Sequence, residues 1–183
     1  MLSALAPQQS RELGAEQVYA LHADFVWRTL QHLGVRQADL EDLGQEVFVV
    51  VHRRLSSFDG RSKLTTWLFG ICLNLVWRHR RRAYLRLEFL HADPPEAIDP
   101  ETPEQLYAGE EARVRLERLL TKLSPERRAT FLLFEVEGVS CEEIAELTNV
   151  PVGTVYSRLH SARKHVAATA ARLRRAGKWE DLP

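Results

Sequence analysis

Cysteine is scarce in these 183 residues: Cys72 and Cys141 are the only two, set far apart in apolar stretches of helical spacing. That speaks against a disulfide framework or a cysteine-rich metal site and for two buried thiols. The seven histidines form no HExxH and no Cys/His cluster with ligand spacing, so no metal is expected. A Walker loop, a GxSxG turn and a nucleophile with an obvious base partner are absent too, which leaves enzymatic chemistry and cofactors unsupported. No stretch reaches the roughly 18 apolar residues of a spanning helix, and no basic start precedes an apolar run. The expectation is a soluble cytoplasmic protein without membrane insertion. Only nine glycines and eight prolines punctuate the chain.

An excess of one charge is also missing, with 25 Lys plus Arg against 25 Asp plus Glu. The zero sum hides segregation. Residues 61–86 hold Arg61, Lys63, Arg78, Arg80, Arg81, Arg82 and Arg86 without an acid. Residues 91–112 hold Asp93, Glu96, Asp99, Glu101, Glu104, Glu110 and Glu111 without Lys or Arg. Residues 151–178 are again purely basic, with Arg158, Arg163, Lys164, Arg172, Arg174, Arg175 and Lys178.

Apolar residues recur at helical spacing almost throughout, which predicts an all-α chain of two small helical domains. A first helix is expected over 16–33, with Val18, Leu21, Phe25 or Val26, Thr29 and Leu33 inward. A second is expected over 38–55 on Leu40, Leu43, Val47, Val50 or Val51, and Leu55. The third should open with Thr65 as N-cap and dissolve in the run WRHRRR. Residues 91–111, carrying four prolines and seven acids without a Lys or Arg, read as a flexible acidic linker between a domain over 1–90 and one over 112–175, with a tail from 176. In the second domain Ser124 and Pro125 start one helix, and Ser140 with Glu143 forms the capping-box signature of the next. A last helix is expected over 152–174, with Val152, Val155, Leu159, Ala162 and Val166 inward.

Three constellations carry functional chemistry. The segment GVSCEEIAELTNVPVGTVYSRLHSARKHV has the short helix, tight turn and long helix of a helix-turn-helix. Its second helix offers Thr154, Tyr156, Ser157, Arg158, His160 and Ser161 to a major groove, and Arg163 and Lys164 to phosphates. The loop from Ser56 to Lys63 and the third helix interleave Phe58, Trp67 and Trp77 with Arg61, Lys63, Arg78 and Arg81. That composition suits unpaired DNA, although tryptophans beside an apolar stripe serve equally as core or rim. The segment ADLEDLGQEVF places Asp39, Asp42, Gln45 and Glu46 on one exposed helical face, either for a basic partner helix or as favourable charge near a helix start.

Together, DLEDLGQEVFVVVHRRLSSFDGRSKLTTWLFGICLNLVWRHRRR and LSPERRATFLLFEVEGVSCEEIAELTNVPVGTVYSRLHSARK resemble regions 2 and 4 of the extracytoplasmic-function group of bacterial sigma factors. The resemblance covers residues 14–90 and 112–170. It implies a non-enzymatic initiation subunit that brings core RNA polymerase to promoter DNA. Asp42, Gln45 and Glu46, with Asp39 beside them, would then engage the polymerase clamp helices. Phe58, Arg61, Lys63, Trp67, Asn74, Arg78 and Arg81 would capture and open the minus-10 element. The last helix would read the minus-35 element, and the acidic linker would thread polymerase channels. An anti-sigma factor is a family expectation, as is a monomer when free. Some relatives carry Arg after GTV and an aromatic and Arg further on, where this chain has Tyr156, His160 and Ser161, so base preference does not transfer. The competing expectation is a dimeric helix-turn-helix regulator acting without polymerase. A single-strand-processing enzyme is a third, weakened by the missing ligand set.

Overall fold

The computed structural model describes residues 14–90 and 115–176, so the expected linker, and the tail beyond Ala176, lie outside the described residues. Among the described residues every regular element is helical: α1 (Ala15–His32), α2 (Gln37–Arg54), α3 (Leu64–Leu90), α4 (115–120), α5 (Pro125–Phe131), α6 (Cys141–Thr148) and α7 (Val152–Arg175). A 3-10 turn, Leu55–Ser57, follows α2, and a π turn, Leu132–Val136, continues α5.

Helices α1 to α3 pack on one another around Val18, Val26, Leu30, Leu40, Leu43, Val47, Val51, Leu68 and Cys72. Val26 and Val51, rather than Phe25 and Val50, are the buried members of the two ambiguous pairs. Leu21, expected inward, is 55% exposed. At about 100° per residue it lies roughly 120° round from the centre of the stripe formed by Val18, Val26, Thr29, Leu30 and Leu33. The third helix also departs from expectation at both ends. It begins at Leu64, with Trp67 N–H bonding Lys63 O at 3.1 Å, so Thr65 sits inside the first turn and is not the N-cap. It then runs through WRHRRR to Leu90, because arginine is a good helix former and neither glycine nor proline interrupts the run.

Helices α4 to α7 form a second bundle around Leu120, Leu132, Leu133, Ile144, Val155, Leu159 and Ala162. Ser124 caps α5, its hydroxyl accepting from Arg127 N–H at 3.4 Å, with Pro125 at the first helical position as expected. Val152, expected inward, is 39% exposed at the very start of α7, whereas Val155 three residues on is fully buried.

The two bundles meet at the C-terminal end of α1. Gly34, at φ 80°, reverses the chain there. The freed carbonyls of a helix end attract cations, and two arginines supply them. Arg128 of α5 donates from Nε to His32 O, and Arg80 of α3 donates to Leu33 O at 2.5 Å. Burial pushes the Arg128 guanidinium down to about 10, with Glu117 opposing the shift. Elsewhere between the bundles, the Leu147 side chain of α6 lies against Gly70 of α3 so closely that a β-carbon at Gly70 would come 2.7 Å from it.

Candidate nucleic-acid and polymerase interfaces

The helix-turn-helix is held by local geometry. Ser140 Oγ accepts from Glu143 N–H at 3.2 Å, while Glu143 Oε2 accepts from Ser140 N–H at 3.1 Å, completing the expected capping box. Asn149 closes α6 at φ 52°, a left-handed position that asparagine tolerates. Thr148 turns its hydroxyl back to Ile144 O at 2.6 Å, and Val155, Leu159 and Ala162 fasten α7 beneath it. The opposite side of α7 is left outward: Tyr156, Ser157, His160, Arg163 and Lys164 are exposed, while Thr154, Arg158 and Ser161 are half-buried.

Several of these side chains already have partners. Tyr156 donates its hydroxyl to Glu142 Oε1 at 3.2 Å, and Ser157 donates to Thr154 O at 2.9 Å. The Glu142 contact holds the Tyr156 phenol above its ordinary pKa. Arg163 bonds Glu135 Oε1 at 2.6 Å and stands 5.0 Å from the centre of the Phe134 ring. Glu142, Glu135 and Phe134 escaped the sequence reading. Glu135 and Phe134 lie in an apolar run that reads as core, and the only cue to Glu142 was an acid in the first turn of the bracing helix.

The first bundle is differently prepared. Phe58 is only 8% exposed and packs on Trp67, centroids 5.4 Å apart, so it is not an open stacking platform in this structure. Trp67 and Trp77 are both partly buried against the core, the rim role left open by composition. Arg61 is exposed and pairs with Asp59 at 3.1 Å, and Lys63, Asn74 and Arg81 are exposed. Between α2 and α3 lies a cavity of about 430 Å³ lined by Val50, Arg53, Arg54, Ile71, Asn74, Leu75 and Arg78.

Along α2, Asp42 and Gln45 are exposed. Glu46 is half-buried and accepts from Arg78 of α3, and Asp39 is held by Arg36 at 2.8 Å and lies 3.4 Å from His79. The face predicted for a basic partner is thus partly neutralised by the chain's own cations. Next to it, Tyr19 and Trp27 of α1 and Phe48 of α2 line a groove of about 550 Å³ that also includes Gln45. Tyr19 and Phe48 meet edge to face at 4.7 Å. Trp27 reaches its place only because Gly44 has no β-carbon. Among the described residues no group of three or more His, Cys, Asp or Glu side chains gathers as a metal site, and no helix is long and apolar enough to cross a membrane.

Comparison with known proteins matches both parts of the chain. Sigma-70 region 2 matches residues 18–85 and sigma-70 region 4 matches residues 113–166. The ECF RNA polymerase sigma factor SigE of Mycolicibacterium smegmatis is 38% identical over 148 residues, 79% of this chain but 57% of that relative. The chain therefore spans less than two thirds of that relative's length. The ECF RNA polymerase sigma-E factor of Escherichia coli K12 is 35% identical over 141 residues, covering 72% of this chain and 74% of the relative. The fold is shared with the sigma factor RpoE of Bartonella quintana, solved with the anti-sigma factor NepR, at a TM-score of 0.68 and 23% identity, covering 85% of this chain and 96% of that one. It is shared also with CnrH, solved with the cytosolic domain of CnrY, at a TM-score of 0.58 and 22% identity, covering 92% and 97%. With both sigma-70 regions present in order and a relative matched over most of its length, the chain belongs to the ECF group of RNA polymerase sigma factors.

Proposed function

We propose that this chain binds core RNA polymerase and directs it to promoters, with no catalytic chemistry of its own. The observation that carries the reading is the pair of sigma-70 regions in order on one chain. The exposed outer side of α7 supports it. In this reading residues 1–90 bind polymerase and the minus-10 element, 91–111 form the acidic linker, 112–175 bind the minus-35 element, and 176–183 are a tail. Asp42, Gln45, Glu46 and Asp39 meet the polymerase. Phe58, Arg61, Lys63, Trp67, Asn74, Arg78 and Arg81 serve minus-10 capture and opening, for which Phe58 must leave its place against Trp67. Thr154, Tyr156, Ser157, His160 and Ser161 face the minus-35 DNA, with Tyr156 and Ser157 serving local fit, and Arg158, Arg163 and Lys164 meet the phosphates.

The protein works in the cytoplasm as a monomer when free, and an anti-sigma factor restrains it. One sigma factor of the same fold, RpoE of Bartonella quintana, was solved with an anti-sigma factor, which supports that last step. Run-off transcription with purified core RNA polymerase on a library of upstream sequences tests the proposal. Discrete starts that appear only when the protein is added are expected. Tight duplex binding without polymerase and without new starts would overturn it in favour of a regulator.

A further inference from the structure

Two exposed residues in the first turns of α7, Tyr156 and Ser157, carry hydroxyl groups, and neither proton is free. Tyr156 faces a carboxylate oxygen of Glu142, which has no proton to give, so the phenol must be the donor. Ser157 faces the carbonyl oxygen of Thr154, which likewise can only accept, so its hydroxyl is also the donor. What Tyr156, Ser157 and Glu142 of α6 offer outward is a set of lone pairs, on the phenol oxygen, the serine oxygen and the carboxylate, while the Thr154 hydroxyl beside them is half-buried. All three residues are exposed.

A surface that can only accept distinguishes bases by their major-groove edges. Cytosine offers an amino group at N4 and adenine one at N6, whereas guanine offers O6 and N7 and thymine O4, all acceptors. Lone pairs set against lone pairs leave both sides unpaired in a site from which water has been displaced. We infer that Glu142 is a positioning residue which commits the Tyr156 proton, so that Tyr156 and Ser157 select an amino-bearing base, cytosine or adenine, in the upstream promoter element. Arginine at position 156 would do the reverse, since its donors suit guanine.

The same logic separates this turn from the next. His160 and Lys164, further along α7, retain donors, as does Arg158 on its half-buried edge. The upstream element should therefore show one amino-selecting position among contacts of the opposite polarity or contacts to phosphate.

The inference rests on the sigma-factor reading, and its test separates the two. The holoenzyme, reconstituted from the full chain and core RNA polymerase, is used to select transcribed templates from a promoter library randomised upstream. Wild-type protein, Tyr156→Phe, Glu142→Ala and Tyr156→Arg are sequenced side by side. Cytosine or adenine should be enriched about five- to tenfold at one position, in line with the loss of a directional base contact. Tyr156→Phe should flatten that position to within about twofold, and Glu142→Ala should admit guanine or thymine there by releasing the hydroxyl proton. Tyr156→Arg should move the preference to guanine. The other positions report folding, because a merely structural defect weakens all of them together. Guanine or thymine enriched at the position that Tyr156→Phe flattens would overturn the inference while leaving the sigma-factor reading intact, and so would a motif in which no position responds to Tyr156→Phe. If no template is transcribed in dependence on the protein, the sigma-factor reading fails, and the inference with it.

Discussion

The two bundles present their candidate site residues differently. In the helix-turn-helix the outer residues of α7 stand on a helix fastened from below by Val155, Leu159 and Ala162, and they are already outward. In the first bundle several of the corresponding residues are engaged internally: Phe58 on Trp67, Glu46 with Arg78, Asp39 with Arg36 and His79. Tyr156, Ser157 and Arg163 of α7 are engaged as well, with Glu142, Thr154 and Glu135, so binding costs internal contacts on both surfaces; the difference is that these three residues are exposed whereas Phe58 is buried. Under the proposed function, a helix fastened by its core suits reading an intact duplex, and side chains that can change partners suit opening one.

The strongest way to break the comparison is to loosen what fastens α7. Leu159 is 3% exposed beneath the outer surface, and Leu159→Ala should cost about 2–5 kcal/mol by removing buried methyl groups and leaving a cavity. His160→Ala, its exposed neighbour, should stay within about 0.5 kcal/mol. Urea denaturation followed by circular dichroism measures both. Equal effects would mean that α7 is not held by this core.

The first bundle depends on a tighter fit at one point. At Gly44 a β-carbon would overlap the Trp27 ring, so Gly44→Ala should cost about 1–3 kcal/mol through overpacking, despite alanine's better helix propensity. Because Trp27 and Gln45 line the same groove, the displaced ring should also weaken polymerase binding. Denaturation and a polymerase pull-down read the two effects, and a stabilised variant would show that the ring moves aside freely.

How much of this the sequence discloses depends on the range of the contacts. The caps of α5 and α6, the turn at Asn149 and the core of α7 are set by residues within a few positions of one another, and their signals survive in a one-dimensional reading. Arg128 lies 96 residues from the carbonyl it serves, Arg78 lies 32 from Glu46 and Arg163 lies 28 from Glu135. No local pattern encodes those pairings. The exposure of Leu21 and the burial of Phe58 are hidden for a related reason. An apolar residue near a stripe does not announce which side of the helix its neighbours will cover, and an aromatic in a basic loop reads as a platform until the core beneath it is seen.

Where the bundles meet, Glu137 offers a smaller effect with a definite sign. Its carboxyl is pushed above the ordinary 4.5, chiefly by burial, while Arg28, His32 and Lys63 of the first bundle pull the other way. A raised folded value means that the native state holds the proton more tightly than the unfolded chain, so stability is lost as pH rises through that value. Glu137→Gln should therefore raise the melting temperature at neutral pH, and the gain should fade as pH falls below the unfolded value. A gain that persists unchanged in acid would assign the effect to something other than ionisation.

The smallest effect isolates the link between the two roles of the first bundle. Glu46 on the proposed polymerase face and Arg78 on the proposed DNA face form one ion pair, and both side chains are more than a third exposed. Water screens such a pair, so a double-mutant cycle on Glu46→Gln and Arg78→Gln should give a stability coupling of only about 0.2–1 kcal/mol. Under the proposed function, a contact worth so little would not oppose transfer of Arg78 to a promoter once polymerase engages Glu46. Glu46→Gln should accordingly strengthen binding of the free protein to single-stranded DNA at low salt, with the gain shrinking as salt rises. In the Arg78→Gln background the same substitution should leave only a small, non-specific gain from the lost negative charge. An equal gain in both backgrounds would show that Glu46 acts as a general negative charge and not by holding Arg78.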